Sequence, residues 1–102
     1  DGRYVLKRLA QYNGFAEESN NKEILDAILL LAQTEGIFTE PAGGVSISVL
    51  QKMVEQGKID TNDKVVCYVT GNGLKATESI MEVLQKPTVM KADVGEISAV
   101  VN

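Results

Sequence analysis

The sequence contains no histidine, no tryptophan and a single cysteine. Without histidine, this chain cannot itself form the common histidine-containing zinc sites or activate a serine or cysteine nucleophile in the usual way. Cys67 lies within an apolar run, so no disulfide framework exists, and we expect a buried structural thiol in a reducing compartment. The sequence therefore predicts neither metal-binding nor catalytic residues in this chain.

Long apolar runs and basic clusters are also lacking. The longest apolar run, 27–32, is too short to cross a bilayer, and the amino end has no secretory pattern. The net charge is −4 and the longest basic cluster is Lys7-Arg8, which argues against binding to nucleic acid. We therefore expect a soluble cytoplasmic protein that binds neither membranes nor nucleic acid.

The length of 102 residues limits the chain to one small domain. It starts at Asp1 with a pattern typical of a helix already in progress, so we expect a piece of a longer protein. Four helices follow from apolar spacing, caps and stops. The predicted helices are Arg3–Tyr12, Lys22–Thr34 capped by Asn20 or Asn21, a third from Glu40-Pro41 to Gly57, and Glu78–Gln85 capped by Thr77.

Apolar character predicts how two of these helices are covered. The helix Lys22–Thr34 is apolar nearly all round, which predicts contacts on several sides. In the third helix, we expect five apolar residues to face the core, with polar residues facing water. Those five are Val45, Val49, Leu50, Met53 and Val54.

The run Val65–Val69 is the strongest strand candidate. Four of its five residues are β-branched or aromatic, which is typical of a strand buried on both faces. Thr70 and the turn Gly71-Asn72-Gly73 follow it, and ligands of α/β proteins bind where strands end. A strand followed by an ordinary tight turn would give the same pattern, so this spacing alone leaves both interpretations open.

The order of elements predicts an α/β fold, with helices packed on a small, mainly parallel sheet. Its further strands would come from the short pieces near Phe15 and Ile37, from the tail, or from a part of the protein outside this chain. The tail, 87–102, is expected to hold an edge strand over Thr88–Ala92 and a strand or frayed helix over Asp93–Val101. We accordingly divide the chain into a main part, 1–86, and a carboxyl-terminal tail or arm.

Two motifs resemble a known family. Glu35-Gly-Ile-Phe-Thr-Glu-Pro-Ala-Gly43 and Val69-Thr-Gly-Asn-Gly-Leu-Lys75 resemble the carboxyl-terminal part of the threonine synthase family, pyridoxal-phosphate enzymes of the tryptophan-synthase β fold type. The resemblance runs from the first residue to about Gln85. It implies that this chain is a fragment of a larger three-layer α/β/α enzyme. The pair Gly43-Gly44 stands where relatives often carry serine or alanine, which predicts a looser helix entrance.

The resemblance also implies a cofactor site. The residue matching Thr70 hydrogen-bonds the pyridine nitrogen of pyridoxal phosphate, and Gly71, Ala42 and Gly43 would be small because the ring edge lies against them. A neutral hydroxyl leaves that nitrogen largely unprotonated, whereas a carboxylate would hold it protonated. Glu40 is expected mainly to order this part of the chain.

The implied reaction is that of a pyridoxal-phosphate-dependent lyase, which converts O-phospho-L-homoserine and water to L-threonine and phosphate. The Schiff-base lysine and the cup for the cofactor phosphate lie upstream in the family, and Lys75 is not at the lysine position. We therefore expect the chain alone to be inactive, to bind the cofactor poorly and to form a homodimer. The alternatives are a related enzyme such as a threonine dehydratase or a sulfhydrylase, and a non-catalytic interaction or regulatory domain.

Overall fold

The computed structural model describes residues 1–81, 83–84 and 88–101. These residues form five α-helices and one short 3₁₀-helix. The α-helices are α1 (Gly2–Gln11), α2 (Asn21–Glu35), α3 (Pro41–Glu55), α4 (Glu78–Met81) and α5 (Val94–Val101), and the 3₁₀-helix is Gly73–Lys75. None of the helices in the described ranges is long and apolar enough to cross a membrane.

The predicted helices are confirmed where local signals define them. The side chain of Asn20 accepts a hydrogen bond from the backbone amide of Glu23, and the Glu23 carboxylate accepts one from the backbone amide of Asn20. Both amides, which have no partner within the helix, are thus hydrogen-bonded. Gly36 ends α2 with a φ of +67°, which favours glycine. Pro41 occupies the first turn of α3, where its missing amide proton costs nothing.

The sheet is not found in the described residues. They contain no strand, only an isolated antiparallel bridge between Thr39 and Asn72. The prediction of a buried strand over Val65–Val69 is wrong here, because Val66 is 80% exposed and Tyr68 79%. Cys67 is half-buried rather than buried. The run has an apolar pattern suited to a sheet interior, but a strand also needs neighbours whose backbones pair with it.

Other predicted strands are also absent from the part of the chain that the structure describes. The segments at Phe15-Ala16 and Thr88–Ala92 have no ladder partner, and Ile37 and Phe38 lie outside any bridge. Of the two alternatives for Asp93–Val101, the helix is the one observed, as α5. The end of the predicted helix Glu78–Gln85 and its stop at Lys86-Pro87 involve positions 82 and 85–87, which lie outside the described residues; α4 covers Glu78–Met81.

The core lies between α2 and α3. From α2, it contains Ala27, Ile28 and Leu31. The side of α3 that is buried carries Gly43, Gly44 and Ser48, so small residues form this contact. The expectation that five apolar residues of α3 face the core is therefore wrong for two of them. Val45 and Val54 are exposed, while Val49, Leu50 and Met53 are half-buried.

The chain extends well beyond this core. Its radius of gyration is 18.6 Å, whereas a compact domain of this length has about 13 Å. No residue of α1 is buried, and Tyr4, Leu6 and Tyr12 are exposed. α2 is buried on the side of Ala27 and Ile28, whereas Leu30 is exposed. We expected contacts on several sides of this helix, but it is buried on one side only. A large apolar surface therefore remains open.

A polar network holds the segment before α2 against α3. Lys52 of α3 forms an ion pair of 2.8 Å with Glu23 and donates a hydrogen bond of 2.7 Å to the backbone carbonyl of Glu18. Gln56 donates a hydrogen bond to the carboxylate of Glu17, and Ser19 donates one to the buried Ser48. These contacts bridge residues about 30 positions apart in sequence and fix how the chain enters α2.

The network shifts the pKa values of its members. The pKa of Glu23 is lowered, chiefly by its hydrogen bond with Lys52 and then by that with the Asn20 backbone. The pKa of Glu17 is lowered, chiefly by the hydrogen bond from Gln56. A carboxylate whose pKa is lower in the folded state stabilises that state above its unfolded pKa, and this contribution is lost as the pH falls through its folded pKa.

We therefore predict that acidification from pH 7 to pH 3 lowers the free energy of unfolding, and that Lys52→Met reduces this drop. Without the lysine, the pKa of Glu23 returns towards its unfolded value, so protonation of Glu23 costs less stability. Urea unfolding followed by circular dichroism at both pH values measures the effect. Lys64→Met, which changes an exposed lysine in the segment after α3, is the control. An equal drop in all three proteins would contradict the prediction.

Candidate functional site

The two motifs singled out in the sequence meet in space. The backbone amide of Gly73 donates a hydrogen bond of 3.0 Å to the carbonyl of Phe38. Next to it, Thr39 and Asn72 form the antiparallel bridge. We call residues 38–43 and 70–75 together the α3 corner. Although the paired residues lie more than 30 positions apart in sequence, the two halves form one site at the start of α3.

Thr39 lies at the centre of the corner. It is only 1% exposed, and its hydroxyl Oγ1 donates a hydrogen bond of 3.3 Å to the carbonyl of Gly71. The same side chain fills the space that a Cβ at Gly43 would need. Thr39 therefore contacts both halves of the corner and requires glycine at position 43.

Two further glycines permit the close approach of the two halves. Gly71 has a φ of +84°, which L side chains rarely adopt, and a Cβ there would overlap the carboxylate of Glu40. A Cβ at Gly73 would lie 2.5 Å from the ring of Phe38. Any side chain at either position would push the two halves apart.

Charged and polar side chains complete the corner. The carboxylate of Glu40 forms an ion pair of 3.1 Å with Lys75. The side chain of Asn72 accepts a hydrogen bond of 2.9 Å from the backbone amide of Leu74 and so caps the short 3₁₀-helix. The turn after Thr70 is thus held by contacts with its own residues and with Glu40.

The structure places the four predicted cofactor-binding residues at this corner. Thr70, Gly71 and Ala42 are exposed, whereas Gly43 is buried. The contact of Gly43 is with Thr39, and that of Gly71 is with Glu40, so each glycine already has a structural reason to be small. Their roles towards a cofactor stay predictions.

The prediction of a loose helix entrance at Gly43-Gly44 is wrong. Both glycines are buried, and a Cβ at Gly44 would lie 2.7 Å from the side chain of Ile28. The space that side chains at these two positions would need is occupied by Thr39 and Ile28. Glycine therefore tightens this entrance.

The hydroxyl of Thr70 has the chemistry to bond a ring nitrogen. No hydrogen bond is found for this hydroxyl within residues 1–81, 83–84 and 88–101, and its side chain is exposed, so it can donate to or accept from such a nitrogen. Gly71, the next residue, has no side chain. Across the same described ranges, no group of three or more His, Cys, Asp or Glu side chains could hold a metal ion. A hydroxyl beside a glycine has the chemistry that the ring-nitrogen side of pyridoxal phosphate would need, and this role of Thr70 stays a prediction.

Sequence reasoning missed the central role of Thr39 and Phe38. Both lie within the first motif, but nothing in their spacing distinguishes them from neighbouring residues. An aromatic and a β-branched residue before Glu-Pro give no signal of a contact with a segment more than 30 positions away.

Comparison with known proteins shows the family of the chain. The family model described as "Pyridoxal-phosphate dependent enzyme" matches residues 1–71. Since this match covers more than half of the chain, the chain belongs to the family of pyridoxal-phosphate dependent enzymes.

Within this family, the chain is similar to threonine synthases. It is 38% identical to the threonine synthase of Methanocaldococcus jannaschii over 96 residues, which are 94% of this chain and 24% of the relative. It is 42% identical to that of Halalkalibacterium halodurans over 91 residues, 88% of this chain and 26% of the relative. The chain thus spans about a quarter of the length of these relatives. A match of 96 among 102 residues also extends past Gln85, where the resemblance was expected to end.

The two constraints on Gly71 give a testable prediction. We expect Gly71→Ala to lower the free energy of unfolding by about 1–2 kcal/mol for the positive φ and by up to about 1 kcal/mol more because the Glu40 carboxylate must move away from Lys75. Gly57→Ala is the matched control, because Gly57 also has a positive φ, +67°. No atom of the described residues lies within 4 Å of the position that its Cβ would take. Urea unfolding of both variants measures the difference. Equal losses would show that the contact with Glu40 is not tight.

Proposed function

We propose that this chain is the carboxyl-terminal segment of a threonine synthase, with residues 1–86 in the catalytic domain and 87–102 as a terminal arm. The whole enzyme would convert O-phospho-L-homoserine and water to L-threonine and phosphate. The observation that carries the proposal is the α3 corner, where the two motifs typical of this family meet through Thr39 and Asn72, within the turn that follows Thr70. The identity of 38–42% with threonine synthases favours this member over a threonine dehydratase or a sulfhydrylase.

The chain's own contribution is to bind and orient the ring of the cofactor. When bound in the whole enzyme, pyridoxal phosphate supplies the capacity to withdraw electrons from the substrate. Thr70 would hydrogen-bond the pyridine nitrogen through a neutral hydroxyl rather than a carboxylate, so the nitrogen stays largely unprotonated. Ala42, Gly43 and Gly71 would leave room for the ring edge.

The remaining parts of the site are proposed to lie elsewhere in the enzyme. The chain covers about a quarter of its relatives. The Schiff-base lysine, the phosphate cup and the strands that would flank Val65–Val69 are then supplied by the other three quarters. On this proposal, the chain alone does not convert substrate and binds the cofactor poorly.

The test of this proposal uses the chain mixed with a separately produced amino-terminal part of a threonine synthase. We expect pyridoxal-phosphate binding, followed by absorbance and fluorescence, and threonine formation in the mixture but not in the chain alone. Thr70→Val should weaken cofactor binding about three- to tenfold, the effect of losing one hydrogen bond, while Thr70→Ser should retain it.

Thr61→Val is the control for this substitution, because Thr61 is an exposed threonine in the turn before Val65. If Thr70→Val and Thr61→Val bind the cofactor equally well, Thr70 does not contact the ring. If no mixture binds cofactor at all, the resemblance is one of fold, and a non-catalytic interaction domain becomes the better explanation.

We further propose that the isolated chain forms a homodimer. The support is the amount of apolar surface left open, which includes Tyr4, Leu6, Val66 and Tyr68. Light scattering at about 0.1 mM protein should give twice the mass of one chain, and Leu6→Glu with Val66→Glu should shift the mass towards one chain. Thr61→Glu, which adds a negative charge at an exposed threonine, is the control and should leave the mass unchanged. A single-chain mass for the unaltered protein at that concentration would contradict the proposal.

A further inference from the structure

We propose that Thr39 and Glu40 clamp Gly71 from two sides and thereby fix the position of the Thr70 hydroxyl. Thr39 is then a positioning residue for the threonine that binds the cofactor ring. This inference rests on the proposed function, since that function assigns the ring contact to Thr70. The clamp itself is a property of the chain and can be tested without cofactor.

The first side of the clamp is a buried hydrogen bond. The Thr39 hydroxyl donates to the carbonyl of Gly71 at 3.3 Å. Because Thr39 is almost fully buried and its side chain fills the space beside Gly43, it has no room to turn away. The Gly71 carbonyl is thus tied to the first turn of α3, which belongs to the core of the molecule.

The second side of the clamp is a carboxylate held in place by a lysine. The Glu40 side chain lies against the α-carbon of Gly71, where a Cβ would overlap it. Lys75 pairs with that carboxylate at 3.1 Å from the far end of the same turn. The lysine is largely exposed, so the pair contributes only about 0–1 kcal/mol, which favours this position of the carboxylate.

The position of Thr70 depends on these contacts. The Thr70 side chain is exposed and forms no hydrogen bond within the described part of the chain, so only the backbone orients its hydroxyl. The next residue is a glycine, which adopts positive and negative φ with similar ease. Without the clamp, the Thr70-Gly71 peptide could rotate, and the hydroxyl would lose a defined direction.

The test compares Thr39→Val, which keeps the shape but removes the hydroxyl, with Thr39→Ser, which keeps the hydroxyl. Hydrogen exchange of the Gly73 amide, which bonds to the Phe38 carbonyl inside the corner, is measured by NMR on the chain alone. We expect exchange about three- to tenfold faster in Thr39→Val, with shifted amide signals for Thr70 and Gly71. Thr39→Ser should stay close to the unaltered chain.

A second variant keeps the clamp testable if Thr39→Val fails to fold. Lys75→Met changes an exposed side chain and should leave the helical circular dichroism unchanged, but it releases the Glu40 carboxylate. We expect shifted Gly71 and Thr70 amide signals in Lys75→Met and none in the control Lys64→Met. Unchanged exchange at Gly73 in a folded Thr39→Val, or unchanged signals in Lys75→Met, would overturn the clamp.

Cofactor titration of the mixture with an amino-terminal threonine synthase part separates this inference from the proposed function. If both hold, Thr39→Val and Thr70→Val weaken pyridoxal-phosphate binding to a similar degree, while Thr39→Ser does not. If Thr39→Val loosens the corner but neither variant weakens binding, the clamp stands and the proposed role of Thr70 fails. If Thr70→Val weakens binding while Thr39→Val changes neither exchange nor binding, the clamp fails and the proposed function stands.

Discussion

The close approach that Gly43 and Gly44 permit at the start of α3 is the constraint on which the rest of the structure depends. Gly44 lies against α2, where its built Cβ would be 2.7 Å from the Ile28 side chain and 2.9 Å from the Ile24 carbonyl. Gly43 faces the other way and receives the side chain of Thr39. One turn of helix thus forms both the α2–α3 core and the wall of the candidate site.

This arrangement gives an exposed turn a rigid base. Binding residues commonly lie on loops that a packed scaffold positions. Here the scaffold is the pair α2 and α3, braced by the network around Lys52, and the loop is the turn that carries Thr70. The connection between them passes through Thr39, which is buried against α3 and bonded to the turn. The position of the turn that carries Thr70 therefore depends on Thr39, which is not one of the predicted cofactor contacts.

The elements that the sequence predicted well are those defined by neighbouring residues. The reciprocal cap of Asn20 and Glu23, the αL glycine at position 36 and the proline at the start of α3 each act within one helical turn. The burial of Val65–Val69 could not be predicted in the same way. Its apolar pattern indicates what the run would tolerate, whereas its exposure depends on which other segments lie beside it.

By itself, the sequence determined the first three α-helices, the turn at Gly71-Asn72-Gly73 and the two motifs that resemble threonine synthases. Tertiary structure alone decided that these motifs meet, that Thr39 joins them, and that Gly43 and Gly71 are small because Thr39 and Glu40 lie against them. The physical reason is the number of sequence positions that each interaction spans. Caps and turns are satisfied by hydrogen bonds between near neighbours, but a contact between Thr39 and Gly71 spans 32 positions and forms only when the folded chain brings these two segments together.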